Sequence, residues 1–198
     1  MKKTITLALA VLLVLVSALG SSAAITATED LKITLDSVIA LLADKKADPV
    51  KRRAQVVEKI RGDFDFEAMS KIILGPNWNS ASPEQKKRFI ELYTRILENT
   101  YIERIEAYTD EKVKYGTEKM KGDRAAVETS IIGSGKVIPV EYRMWLDKDN
   151  WRVYDVTIEG VSLVRNFQDT YKGVIRKDGI EGLLTQMEER LKEMEHKK

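Results

Sequence analysis

The chain has 198 residues, with 33 lysines and arginines against 31 aspartates and glutamates, one histidine and no cysteine. That balance leaves no global field to recruit nucleic acid. A lone imidazole without any thiol also argues against a zinc site, a disulfide framework and the usual nucleophile–base pairs.

In chain order, the first segment reads as an address. Lys2 and Lys3 form a basic start, Ile5 to Leu19 is a nearly unbroken apolar run, and Ser22-Ala23-Ala24 supplies small residues for cleavage. The expectation is a signal peptide over residues 1–24, cut near Ala23 or Ala24. The run is shorter than the roughly 20 residues of a spanning helix. Without cysteine no lipid anchor can be attached, so the mature chain is expected to be soluble. An exported chain without disulfides suits a bacterial periplasm. About 174 residues then remain, with 31 basic and 31 acidic side chains, enough for one domain over residues 25–198 with a core of its own.

Residues 25–80 read as a helical lobe. Thr26 and Glu29 form a capping box ahead of Leu31, Leu35, Val38, Ile39 and Leu42. Asp48-Pro49 is a second helix start, with Val56, Val57 and Ile60 as its stripe. A short helix from about Phe66 to Leu74 stops at Gly75-Pro76, with Asp63 or Asp65 as its cap and Phe64 and Phe66 turned inward.

Residues 81–198 read as a helix-covered sheet. Ser82-Pro83-Glu84-Gln85 is the clearest start in the chain, and its helix carries Phe89, Leu92, Tyr93, Ile96, Leu97, Thr100, Tyr101 and Ile105 on one face. From Lys112 to Glu159, turns at Lys121-Gly122-Asp123, Gly133-Ser134-Gly135 and Asp147-Lys148-Asp149-Asn150 separate short β-type runs. That spacing predicts an antiparallel meander of about four strands. In the third, Val140, Tyr142, Met144 and Leu146 alternate with Glu141, Arg143 and Trp145, so one face is buried. Pro139 belongs at an edge, a bulge or a strand start. Two closing helices are striped by Val164, Phe167, Tyr171, Val174 and Ile175, then by Ile180, Leu183, Leu184, Met187 and Leu191, before a frayed EMEHKK tail. The fold class is therefore α+β: a curved antiparallel sheet covered by helices, a cone of the NTF2-like kind, with an N-terminal helical lobe.

Several motifs lead elsewhere and fail. Asp63-Phe64-Asp65-Phe66-Glu67 starts like a calcium loop but has Ala68 where glycine is required. Gly133-Ser134-Gly135-Lys136 lacks the upstream glycine of a phosphate loop and continues with Val137. Basic clusters at Lys51-Arg52-Arg53, Lys86-Lys87-Arg88 and Arg176-Lys177 have acids interspersed and read as solvated helix faces. The one enzyme-like alternative is Asp155 as base with Tyr142 as oxyanion donor, the arrangement of a ketosteroid-isomerase type of enzyme acting on a small apolar substrate.

Two blocks carry a resemblance. The first runs from Phe66-Glu67-Ala68-Met69-Ser70 through Leu74-Gly75-Pro76-Asn77-Trp78 to Ala81-Ser82-Pro83-Glu84-Gln85 and Phe89. The second is Trp151-Arg152-Val153-Tyr154-Asp155-Val156, Glu159-Gly160-Val161-Ser162-Leu163-Val164 and Asn166-Phe167, followed by Lys177-Asp178-Gly179-Ile180-Glu181-Gly182-Leu183. Spaced along one chain, these resemble the MlaC-like (toluene-tolerance) family of periplasmic phospholipid carriers. The family's Asn-Tyr-Arg-Ser-Gln-Phe run is here Asn166-Phe167-Gln168-Asp169-Thr170-Tyr171, with the arginine and glutamine replaced.

The resemblance implies a non-enzymatic carrier that holds glycerophospholipid as cargo, with no cofactor. It would pass lipid between an outer-membrane lipoprotein complex and an inner-membrane ABC transporter complex with its substrate-binding subunit. It is expected to act as a monomer. Leu74, Trp78, Leu92 and Ile96 are expected to line the acyl-chain cavity from the helices. Val127, Ile131, Val140, Tyr142, Met144 and Val153 would line it from the strands, and Val161 and Val164 from the turn beyond them.

Overall fold

The computed structural model describes residues 25–107, 110–133 and 135–196. The signal peptide expected over residues 1–24 lies outside the described residues.

Helix α1 (Ala27–Ala43) opens with the capping box read from the sequence. The Glu29 amide donates to Thr26 Oγ1, and the Thr26 amide donates to Glu29 Oε2 at 2.9 Å. Helix α2 (Pro49–Asp63) starts under the Asp48 carboxylate, which accepts from the Lys51 amide. Asp65 caps α3 (Phe66–Leu74) by accepting from the Ala68 amide at 2.8 Å. Asp63, the other candidate cap, instead pairs with Lys59 and Thr34. Gly75 ends α3 at φ 53°, a backbone angle that favours glycine. A single turn, α4 (Asn77–Ser80), follows; no spacing of apolar residues announced it, because Asn77 Nδ2 supports it by donating to Leu74 O. Helix α5 (Pro83–Glu106) begins with the Ser82–Gln85 box.

The sheet contains β1 (Lys112–Lys121), β2 (Arg124–Gly133), β3 (Lys136–Asp147), β4 (Asn150–Ile158) and β5 (Val161–Ser162), paired antiparallel in chain order. The two-residue β5 makes five strands where about four were expected; so short a strand carries no alternation to read. Register shifts between Tyr115 and Glu118 and between Arg143 and Met144 bend the ribbon, as β-bulges do. Pro139 sits neither at an edge nor at a strand start but inside the central strand β3, opposite Ser130. Its carbonyl accepts from the Glu159 amide. Its nitrogen lies on the same side of the strand, so the bond it forgoes is the reciprocal one to Glu159, one residue beyond the end of β4, and the ladder within the paired strands is kept.

Helix α6 (Leu163–His196) is broken at Gly179, φ 71° and ψ −175°, into the two arms the sequence predicts. The tail is helical through His196 rather than frayed from Glu193, and the Arg95 guanidinium donates to Glu195 Oε1 at 2.5 Å. Two of the three basic clusters have members engaged on the surface: Arg53 pairs with Glu106, Arg88 bridges Glu181 and Glu188, and Lys86 lies over the Trp78 ring. Helix α1 lies across the sheet, touching β1, β2 and β4, while α3 and α6 reach the sheet at β4 and α5 packs on both of them. Among the described residues, no helix is long and apolar enough to cross a membrane.

Candidate functional site

Among the described residues the apolar interior is divided into three clusters, the smallest of which joins Val38 and Leu42 of α1, Val56 of α2 and Ile102 of α5. Of the other two, one is purely helical, built from α3, α5 and α6 around Met69, Phe89, Tyr93, Phe167, Leu184 and Met187. The second joins Ala27 and Leu31 of α1 to the sheet residues Val127, Tyr142, Met144, Trp151 and Val153. Phe64 and Leu163 pack against both. Phe64 is held there by its backbone, which bridges Val153, while the Asp65 amide donates to Val153 O at 2.8 Å. The Arg152 guanidinium donates to Phe64 O at 2.9 Å from the same strand. Along β4 the two clusters therefore meet through these residues.

The twelve residues expected to line a cavity fall on both sides of this division. Leu74, Leu92, Ile96 and Val164 belong to the helical cluster, with Trp78 packed against it. Val127, Val140, Tyr142, Met144 and Val153 belong to the sheet cluster, with Ile131 packed against it. Val161, expected beside Val164, joins neither and is 56% exposed, because in β5 it is Ser162 that turns inward to a carboxylate. A cleft of about 710 Å³ bordered by Arg61, Phe66, Arg88, Leu92, Arg95 and Leu191 includes only Leu92 of the twelve.

The apolar face of the sheet lies under α1, which polar bonds fix at both ends of its contact. The Thr28 amide donates to Glu118 Oε2 at 2.8 Å, and the Thr28 hydroxyl donates to the same oxygen. The Trp151 amide donates to Asp30 Oδ2 at 2.9 Å and the Trp151 indole donates to Ile25 O at 3.0 Å.

The enzyme-like pairing of Asp155 with Tyr142 is not formed. Register places Arg143 opposite Asp155 and Tyr142 opposite Val156, and neighbouring positions on a strand point to opposite faces. Asp155 is 4% exposed, and its oxygens accept from the Ser162 hydroxyl at 2.7 Å and the Val164 amide at 3.2 Å. It thus serves as a structural acceptor at the start of α6. Burial pushes the Tyr142 hydroxyl well above the ordinary tyrosine value, so it stays protonated.

Sequence reasoning turned Phe64 inward but did not place it, or Leu163, between the two clusters, because each sits at an element boundary where periodicity carries little information. It also did not foresee what stands in for the replaced family arginine. Gln168 Nε2 donates to Ile72 O at 2.8 Å, satisfying a carbonyl in the last turn of α3, and the Thr170 hydroxyl donates to Asn166 O within its own helix.

A family model described as MlaC protein matches residues 32–189. The intermembrane phospholipid transport system binding protein MlaC of Haemophilus influenzae is 27% identical over 150 residues, covering 73% of this chain and 70% of that protein. The toluene tolerance protein ttg2D of Pseudomonas putida is 27% identical over 149 residues, covering 70% of this chain and 69% of that one. The solved phospholipid-binding protein of Ralstonia solanacearum, in complex with a phospholipid, matches with a TM-score of 0.77 and 25% identity, over 83% of this chain and 96% of that one.

Proposed function

The chain belongs to the MlaC protein family, and on that premise we propose that it is a periplasmic carrier of phospholipid rather than an enzyme. The observation that carries the reading is that two of the interior's three apolar clusters, one helical and one on the sheet, meet along β4 through Phe64 and Leu163. Acyl chains enter by parting them, with Leu92, Ile96 and Val164 on the helical side and Tyr142, Met144 and Val153 on the sheet side.

The energetics favour such an arrangement. Two chains of about sixteen carbons carry about 30 methylenes, worth about 24 kcal/mol on leaving water at about 0.8 kcal/mol each. A lipid does not leave a bilayer against that cost at a useful rate. An interior as apolar as the bilayer makes the exchange nearly balanced, and a seam between two clusters opens at less cost than a single interlocked core.

In this reading the chain is exported by the segment over residues 1–24 and works as a monomer. It exchanges lipid with an outer-membrane lipoprotein complex and an inner-membrane ABC transporter complex. Relatives named for phospholipid transport and toluene tolerance, and a neighbour solved with a phospholipid, support it. Incubation with vesicles of fluorescent phospholipid, followed by separation, tests it: the protein fraction carries lipid and delivers it to lipid-free acceptor vesicles. Protein that emerges without lipid from every donor composition contradicts the reading.

A further inference from the structure

Two hydroxyls are buried in the helical cluster, Tyr93 of α5 and Tyr171 of α6, exposed by 0% and 4%, and a third, that of Ser70, is buried at 0% in α3. None of the three finds a hydrogen-bond partner among the described residues. Their rings are well placed without the oxygens. Tyr93 meets Phe167 edge-on at 5.2 Å, and Tyr171 meets Phe89 edge-on at 6.1 Å. Phenylalanine would fill the same space and spare the cost of burying an unpaired hydroxyl. A tyrosine retained at such a position points to a partner that arrives from outside the chain.

The position of the hydroxyls narrows what that partner is. The Tyr93 hydroxyl lies within the electrostatic reach of Tyr171, Asp155 and Tyr101. The two tyrosines belong to one aromatic group, since Phe89 and Phe167 each contact both rings. Asp155 is already engaged by Ser162 and Val164. Burial keeps both tyrosines protonated throughout the neutral range, so they offer neutral donors. A phosphate lodged among aromatic rings would have to shed its hydration for two neutral donors, a poor exchange for a charge. A neutral carbonyl oxygen is matched to them.

We propose that Tyr93 and Tyr171 form a polar subsite within the helical cluster that donates hydrogen bonds to the acyl-ester carbonyls of a glycerophospholipid. This deepens the carrier reading and rests on it. The subsite distinguishes ester-linked from ether-linked lipid, because the ether analogue has the same chains and head group but no carbonyl.

The test is competitive uptake from vesicles containing equal amounts of diacyl and dialkyl-ether phosphatidylethanolamine, quantified by mass spectrometry. It compares the full mature chain with Tyr93→Phe, Tyr171→Phe and the double variant. The ratio of the two lipids within one variant cancels any general loss of stability. The wild type is expected to prefer the ester lipid roughly three- to tenfold, and the double variant to bring the ratio close to one. A wild type with no preference, or a double variant that keeps it, overturns the subsite while leaving the carrier reading intact. A wild type that takes up neither lipid overturns the carrier reading itself.

Discussion

The Ser162 hydroxyl donates to Asp155 Oδ2 at 2.7 Å, and the same Ser162 oxygen accepts from the Arg165 amide at 3.1 Å. One short relay thus fixes the last full strand of the sheet to the first turn of α6, where the two apolar clusters meet. Asp155→Ala leaves the buried Val164 amide without an acceptor and is expected to cost about 1–3 kcal/mol. Urea denaturation measures the loss. Asp155→Asn, which keeps an acceptor for that amide and can donate to Ser162, is expected to cost less. A neutral Asp155→Ala would show that the relay does not hold the joint.

Alkaline pH tests the buried tyrosines. Burial pushes the Tyr171 hydroxyl up to about 12 from an ordinary 10.0, against an opposing pull from Arg190, and burial raises Tyr93 well above its ordinary value. The unfolded chain releases these protons near 10 and the folded chain holds them, so stability is fully present below about 10 and falls as pH rises through the folded values. The urea midpoint is expected to be flat from neutral pH to about 9 and to drop between about 10 and 12. Tyr171→Phe is expected to make that drop shallower.

Two glycines of α6 are expected to behave oppositely. Gly179 has φ 71° and ψ −175°, a region almost closed to other residues, so Gly179→Ala is expected to destabilise by about 1–3 kcal/mol although no neighbour crowds its Cβ. Gly173 lies within the helical run of α6, and an added Cβ there also meets nothing within 4 Å. Gly173→Ala is expected to stabilise by about 0.4–1 kcal/mol. Thermal unfolding of the two variants side by side checks both signs.

Glu118 anchors α1 to β1 through Thr28. Glu118→Ala is expected to loosen that end of α1, accelerating amide exchange over residues 27–31. It should also shift Trp151 emission to the red, since Trp151 is 5% exposed beneath α1. The stability cost is expected to be about 0.5–1.5 kcal/mol. Unchanged exchange over these residues would mean that the apolar contacts of Ala27 and Leu31 hold the helix alone.

Much of this architecture was legible in the sequence because local chemistry dictated it. Thr26–Glu29, Asp48-Pro49 and Ser82–Gln85 each open a helix where expected, since caps satisfy amides within one turn of chain. The alternation of Val140, Tyr142 and Met144 placed them on the buried face of β3. What could not be read is how the apolar residues are shared out. Leu92 and Met144 look alike as hydrophobic positions, yet they belong to different clusters. The partition runs along the joint that the Phe64–Val153 bridge fixes, which is a tertiary fact. Val161 was misplaced for the same reason: in a strand of two residues, the bond from Ser162 to Asp155 decides which side chain turns in.

The central claim is that the divided interior holds phospholipid. Native mass spectrometry of the protein isolated intact from a bacterial periplasm tests it most directly. The account predicts a dominant species heavier than the mature chain by one phospholipid, releasing a lipid anion on collisional activation. A single species at the mass of the bare chain, unchanged after incubation with phospholipid vesicles, would contradict it.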